Sequence, residues 1–176
     1  MIKNIYTGKT KEEAIQKAKI SLQELEQNLY IKEIDKKTGL FHKKVEIEVL
    51  TRDEVIKFVK QYIKDLIKNM GLTANLEVQK REESVTFTVF SDNNSILIGK
   101  NGKTLEALTM IVKQAVKKEI GTYINLTIDI GEYKKEREHS LQSLAKKIAR
   151  EVASSKVAAK LDPMNSYERR IIHTIL

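Results

Sequence analysis

Two glycines three positions apart, Gly99 and Gly102, limit the folding of this 176-residue chain more than any other feature, because helical patterns stand on both sides of them. Before them, Ser95-Ile96-Leu97-Ile98 reads as one apolar helical turn. After them, Leu105, Leu108, Val112 and Ala115 share one side of a helix predicted over 104–120 and closed by Gly121. Two helices must therefore meet at an irregular turn, Gly99-Lys100-Asn101-Gly102, whose glycines admit backbone conformations that other residues resist. Segments 73–80 and 84–90 alternate with period two, and Lys80-Arg81-Glu82-Glu83 is the turn between them. Segment 123–130 alternates Ile124, Leu126, Ile128 and Ile130 with polar residues. A helix opens at Thr51 with Glu54 as capping partner, carries Val55, Val59, Tyr62, Ile63, Leu66, Ile67 and Met70, and stops at Gly71. Residues 51–131 thus read α-β-β-α-α-β.

The flanks read separately. Residues 2–7 predict a short strand. A helix follows from N-cap Thr10, boxed by Glu13, with Ala14, Ala18, Leu22, Leu25 and Leu29 in its stripe and an end near Asn28. Two strands, 30–36 and 41–50, are broken at Lys37-Thr38-Gly39, so residues 1–50 read β-α-β-β. A new helix directly after a strand predicts a stiff boundary near residue 50. Beyond Gly131, a charged helix over about 132–155 carries Leu141, Leu144, Ala145, Ile148, Ala149 and Val152 on one stripe. Its basic coat, including Lys134, Lys135 and Arg137, reads first as a solvated face. Residues 157–161 are extended, Asp162-Pro163 breaks the chain, and a last helix starts at Asn165 or Ser166. The whole is an α+β protein of three small units.

Composition closes off several chemistries. The chain has no Cys, which excludes disulfides, thiolate zinc sites, iron–sulfur clusters and a thiol nucleophile. With no Trp and 6% aromatics, any core must be aliphatic. His42, His139 and His173 lie far apart with no partner at metal-ligand spacing, and no nucleophile elbow, Walker A loop or dinucleotide fingerprint occurs. No catalytic residue, metal or cofactor is expected. No apolar run reaches the roughly 20 residues that span a bilayer, and the N-terminus has no secretory core, so a soluble, cytoplasmic protein is expected. The 32 Lys and Arg against 24 Asp and Glu give +8, and ten basic against six acidic residues place +4 of it beyond residue 130. A basic balance of this kind is a footprint of nucleic-acid binding, though a general one.

The turn supplies a chemistry for that charge. The helix after it directs N–H groups and the positive end of its dipole at the turn, where Lys100 and Lys103 add charge. Ile96, Leu97 and Ile98 can line an apolar groove beside it. Taken alone, such a turn equally serves as a plain helix connection. Near the C-terminus, Arg169 and His173 share one side of the last helix while Tyr167, Ile171 and Ile175 share another. Arg can hold phosphate and His can stack or donate, although an exposed pair four apart is also an ordinary surface feature.

Ile98-Gly99-Lys100-Asn101-Gly102-Lys103-Thr104-Leu105-Glu106-Ala107-Leu108 resembles the KH signature of the Jag (SpoIIIJ-associated) family. Residues 162–173, DPMNSYERRIIH, are similar to that family's R-three-H domain, named for an Arg and a His separated by three residues. Gly8-Lys9-Thr10 with Glu13-Ala14-Ile15 resembles its N-terminal domain. The resemblance implies a Jag N-terminal domain at 1–50, a type II KH domain at 51–131 and an R-three-H domain at 132–176. The last is expected to be partial, since the family's domain continues past its His and the chain stops at Leu176. It also implies that Ile98, Gly99, Lys100, Asn101, Gly102 and Lys103, with Arg169, Arg170 and His173, contact nucleic acid.

The resemblance implies single-stranded RNA binding, with single-stranded DNA as a second ligand, in a post-transcriptional regulator linked to bacterial cell elongation and division. The alternative is a protein-interaction adaptor whose KH unit mainly dimerises and whose N-terminal domain recruits a cell-envelope partner. A homodimer or a complex with a small KH-only protein is expected through the KH unit, because 104–120 and 123–130 carry more aliphatic surface than such a small domain easily buries.

Overall fold

The computed structural model describes residues 4–38 and 43–176. Strand β1 (Asn4–Gly8) leads into helix α1 (Lys11–Leu22), and strands β2 (Leu29–Thr38) and β3 (Lys43–Thr51) follow. They form an antiparallel sheet of order β1-β3-β2. The break expected at Lys37-Thr38-Gly39 comes later, because Lys37 and Thr38 still pair with Lys44 and Lys43 as the last residues of β2; Gly39 and His42 lie outside the described residues. Ala14 and Ala18, both without exposed surface, bring α1 close onto Val45, Ile47 and Val49 of β3. Gly8 makes the approach feasible, since a Cβ there would stand 2.7 Å from the Ala14 nitrogen.

Helix α1 is shorter than its apolar spacing suggests. It ends at Leu22, where Gln23 turns left-handed (φ 53°). Leu25 is exposed, a 3-10 turn spans Glu26–Asn28, and Leu29 pairs with Thr51 as the first residue of β2. Strand pairing thus takes Leu29 from the helix. The Thr10 cap is also rearranged. Its hydroxyl accepts from the Glu13 amide at 3.2 Å, but the Glu13 carboxylate accepts from Lys9, one residue earlier than a capping box requires.

The middle unit follows the expected order: α2 (Arg52–Asn69), β4 (Ala74–Lys80), β5 (Val85–Ser91), α3 (Asn94–Ile98), α4 (Lys103–Ile120) and β6 (Leu126–Ile130). Strand β5 lies centrally, antiparallel to β4 and parallel to β6. A helical connection between β5 and β6 is what parallel pairing demands. Val85, Phe87 and Val89 of β5 and Leu126, Ile128 and Ile130 of β6 face the helices and join Val55, Val59, Ile63 and Ile67 of α2 and Leu105, Leu108, Val112 and Val116 of α4 in one core. β6 starts at Leu126 rather than 123, and all three of its aliphatic side chains are buried within this one chain. The apolar excess expected there is absent from the strand. What remains on α4 is Met110 and Ile111, 61% and 45% exposed.

Thr51 ends β3 and caps α2 in a complete capping box with Glu54. Leu50 and Tyr30 of the first sheet pack into the core of the middle unit, and burial pushes the Tyr30 phenol pKa up. The Lys32 side chain lies 3.3 Å from where a Gly121 Cβ would stand. The first two units are therefore packed directly on each other.

Beyond β6, helix α5 (Tyr133–Ser155) pairs with helix α6 (Ser166–Ile175) across the irregular residues 156–165, which open with a left-handed Lys156. Asn165 settles the start of α6, capping it in a box with Glu168. The small core is Leu141, Ala145 and Ile172, joined by Leu161, Met164, Ile171 and Ile175. The stripe of α5 is buried only at Leu141 and Ala145; Ala149 is exposed and Ile148 and Val152 are half-buried. The face of α6 is also rotated from the expected one. Glu168 and Ile172 are its buried residues, and Tyr167 stands 63% exposed, because the Glu168 carboxylate turns inward to meet Arg137 at 2.8 Å.

Candidate nucleic-acid interface

The turn between α3 and α4 is built of residues that the backbone requires. Gly99 (φ 68°, ψ 179°) occupies a region open essentially to glycine alone. A Cβ there would meet the Thr104 hydroxyl at 2.1 Å and the Thr104 nitrogen at 3.0 Å. Asn101 is left-handed (φ 54°, ψ 32°), a conformation Asn tolerates better than most residues, and Gly102 follows it there (φ 77°). Gly102 serves as N-cap of α4 without a side-chain acceptor, whereas Thr51 and Asn165 cap α2 and α6. No side chain caps the start of α4, whose Gly102 and Lys103 amides donate to the Gly99 and Lys100 carbonyls and whose first turn carries Glu106; the side chains of Lys100, Asn101 and Lys103 stand exposed around it.

The apolar residues before the turn divide. Ile96 is 48% exposed and Ile98 is half-buried against the core, but Leu97 has no exposed surface. Leu97 belongs to the core and cannot line a groove for bases, a correction to its reading from sequence. One helical turn places three consecutive residues on three faces, so a single run cannot present all of them to one ligand.

One residue outside the sequence reading contacts the turn. The first residue of α5, Tyr133, lies with its ring edge 3.1–3.2 Å from the vacant Cβ position of Gly102. Behind it a groove of about 570 Å³ runs between α4, α5 and α6, with Asn101, Gly102 and Leu105 on one wall and Tyr133, Lys134 and Arg137 on the other. Tyr167 and Ile171 of α6 and Tyr123 from the loop before β6 complete it. The solvated-face reading of the basic run fails here for Arg137, while Lys134 stays exposed as it borders the groove. Arg137 is engaged with Glu168, whose side chain is 7% exposed. Lys134 lines the groove; packing around its charged end pushes its pKa below the ordinary lysine value, Asp129 opposes that shift and Lys113 adds to it. Burial raises the phenol pKa of Tyr133 and of Tyr167, the latter also through Glu138, whose carboxylate accepts from the Tyr167 hydroxyl at 3.3 Å. The signal available in sequence was Tyr133 itself, the sole aromatic of α5, followed at helical spacing by Arg137.

Arg169, Arg170 and His173 are all exposed on α6. Arg169 and His173 meet in a separate cleft of about 480 Å³ formed with Lys160, Asp162 and Pro163. At 100° per residue, Arg169 lies about 160–200° around the helix from Ile171 and Tyr167, so this cleft and the first groove flank α6 on opposite sides. The structure does not join the Arg–His pair to the glycine turn, and Arg170 lines neither cavity. Among the described residues, no three His, Asp or Glu side chains are grouped so as to hold a metal ion. No described helix is long and apolar enough to cross a membrane.

Comparison with known proteins assigns both regions. A family model for the KH domain of KhpA and KhpB matches residues 56–128, the span holding the glycine turn. A model for the R-three-H domain matches residues 139–176, which holds Arg169 and His173. The chain is 35% identical over 178 residues to the RNA-binding protein KhpB of Clostridium symbiosum, covering 97% of this chain and 79% of that protein. It is 32% identical over 139 residues to the RNA-binding protein KhpB of Bacillus subtilis, covering 78% and 67%. Identity to the KhpB of Lactiplantibacillus plantarum is 30% over 124 residues, covering 70% of this chain and 38% of that longer protein.

Proposed function

The chain belongs to the KhpB family of KH and R-three-H proteins, and from that premise we propose that it binds single-stranded RNA at the 99–102 turn. One observation carries the reading: a left-handed glycine turn leaves the N-terminus of α4 without a side-chain cap and ringed by exposed Lys100, Asn101 and Lys103. Backbone N–H groups, a helix dipole and two ammonium groups then converge where phosphates would run, with Ile98 beside them for a base. Single-stranded DNA would meet the same contacts. In this proposal the working units are 1–50, 51–131 and 132–176, and Arg169, Arg170 and His173 add a second nucleic-acid contact. The family suggests a cytoplasmic post-transcriptional role linked to cell elongation and division. The exposed Ile111 of α4, with Ile96, is the surface offered to a second KH domain, of this chain or of a small KH-only protein.

The test replaces Lys100 and Asn101 together by Asp in the full chain and measures RNA affinity against salt. Both side chains are exposed and both glycines remain, so the fold should survive. Affinity should fall below detection at physiological salt. A variant carrying Lys100→Gln alone should show a shallower slope of log affinity against log salt, by about 0.7 for each phosphate the protein no longer neutralises. Unchanged affinity in a folded double variant would contradict the reading.

A second reading has its own observation. Ile5, Ile20, Leu25 and Ile34 of the first unit are 60%, 77%, 63% and 49% exposed. Large aliphatic residues in that number on so small a unit suit a protein partner, and a cell-envelope component recruited through residues 1–50 is the adaptor role this favours. The two roles are compatible in one chain.

A further inference from the structure

Three of the six tyrosines, Tyr123, Tyr133 and Tyr167, come from different segments yet line the single groove between α4, α5 and α6. In a chain with 6% aromatics that convergence is a strong departure from even spacing. Tyr167 and Tyr123 are 63% and 64% exposed, with Lys117 lying 4.1 Å over the Tyr123 ring; Tyr133 is half-buried and, like Tyr30, Phe58 and Tyr62, packs partly against the main core. The hydroxyl of Tyr167 is tethered at its edge to Glu138, an arrangement that orients a ring without covering its faces. Asn101 and Gly102 of the glycine turn form one end of this groove, and Tyr133 abuts Gly102 directly.

The charges divide in a way that selects the occupant. Of the three acidic groups on the groove, Glu168 is paired with Arg137, Glu138 accepts from the Tyr167 hydroxyl, and Glu106 stands exposed on the first turn of α4. Lys113 and Lys134 face the same space, and the burial that lowers the Lys134 pKa is the cost that a phosphate beside it would offset. An amphipathic protein helix would find a floor for its apolar face but two lysines to bury. A nucleic-acid strand uses both the rings and the charges, since every base has a π-face and every linkage a negative charge.

We propose that this groove is a second nucleotide subsite, continuous with the glycine turn, in which bases of the RNA strand leaving the turn stack on Tyr133 and Tyr167 while Lys113 and Lys134 take their phosphates. The subsite rests on the RNA-binding reading of the turn. It joins the KH and R-three-H units into one surface through α5, not through the Arg169–His173 pair, which lies across α6. Its consequence is a footprint longer than the four or so nucleotides a glycine turn clamps.

The experiment uses the full chain and fluorescein-labelled oligouridylates of four and ten nucleotides. Tyr167→Ala removes an exposed ring and leaves the core intact. Tyr133→Leu keeps apolar bulk against Gly102 without a π-face, and Tyr133→Phe restores the face without the hydroxyl. The proposal expects tetramer affinity within about 2-fold of the parent for all three variants. It expects decamer affinity to fall roughly 5-fold or more for Tyr167→Ala and for Tyr133→Leu, and to hold for Tyr133→Phe. Parental decamer binding by both ring-removing variants would overturn the subsite, and if the Lys100→Asp, Asn101→Asp variant still loses both oligomers, the turn stands as the RNA site and the groove becomes a surface for protein. Equal losses on tetramer and decamer would also overturn it, reducing the rings to supports of the turn. Failure of the parent chain to bind either oligomer would overturn the RNA-binding reading itself, and the subsite with it.

Discussion

Gly99 shows how far a single residue can be argued. Its φ of 68° with ψ of 179° and the 2.1 Å approach to Thr104 leave no room for a Cβ. Gly99→Ala should therefore cost about 1–3 kcal/mol from backbone strain alone, with the contact adding to it. Gly102→Ala should cost about 1–2 kcal/mol, since its left-handed conformation is less restricted and its neighbour is a ring edge at 3.1 Å. Urea titration of both variants checks the order, and a Gly99→Ala protein as stable as its parent would refute the packing described. Lys134 gives a pH effect of defined sign. Its pKa is depressed in the free protein, so the unfolded chain holds more protons in that window and stability rises with pH there. A phosphate beside the ammonium would raise the pKa again, so RNA binding takes up a proton and affinity falls as pH rises through the same window. That window opens below the ordinary lysine value of about 10.4. Lys134→Arg, charged throughout, should flatten the pH dependence of affinity measured at constant salt.

Among the elements, local chemistry was legible where it acts locally. The Thr51–Glu54 box, the Gly71 and Gly121 stops and the alternation of β5 and β6 can be read directly because each depends on neighbours within a few residues. The end of α1 could not be read, because Leu25 and Leu29 keep helical spacing while Leu29 is claimed by β3 from 22 residues away. The outward turn of Tyr167 was equally hidden, since it follows from Glu168 meeting Arg137, 31 residues earlier. The glycine turn was legible as a motif; the groove behind it was not, because it exists only where three helices converge. Glu168 links the cap of α6 to that groove, accepting from the Asn165 amide at 3.3 Å and from Arg137. Glu168→Ala should cost roughly 2–3 kcal/mol, below the range for a fully enclosed pair because the Arg137 side chain is 27% exposed. Hydrogen exchange should show the loss as deprotection of α6 amides ahead of those in α2 and α4.

For the whole molecule, the absence of a linker at Thr51 matters most. One residue closes a strand and opens a helix, and Tyr30 and Leu50 cross into the core of the KH unit. Nitrogen-15 relaxation should accordingly return one rotational correlation time for residues 4–38 and 51–131. The third unit is bound to the second through Tyr133 on Gly102 and through the Lys134 amide, which donates to Asp129 at 3.2 Å. Those contacts bring the glycine turn and the tyrosine groove onto one face. The most direct measurement is a map of backbone amide shifts in the full chain during titration with an unstructured single-stranded RNA decamer. The account predicts shifts concentrated at residues 98–106 and 133–137, with Tyr167 following at the same apparent affinity. Shifts confined to the exposed aliphatic positions of residues 4–38, or none that saturate, would contradict it.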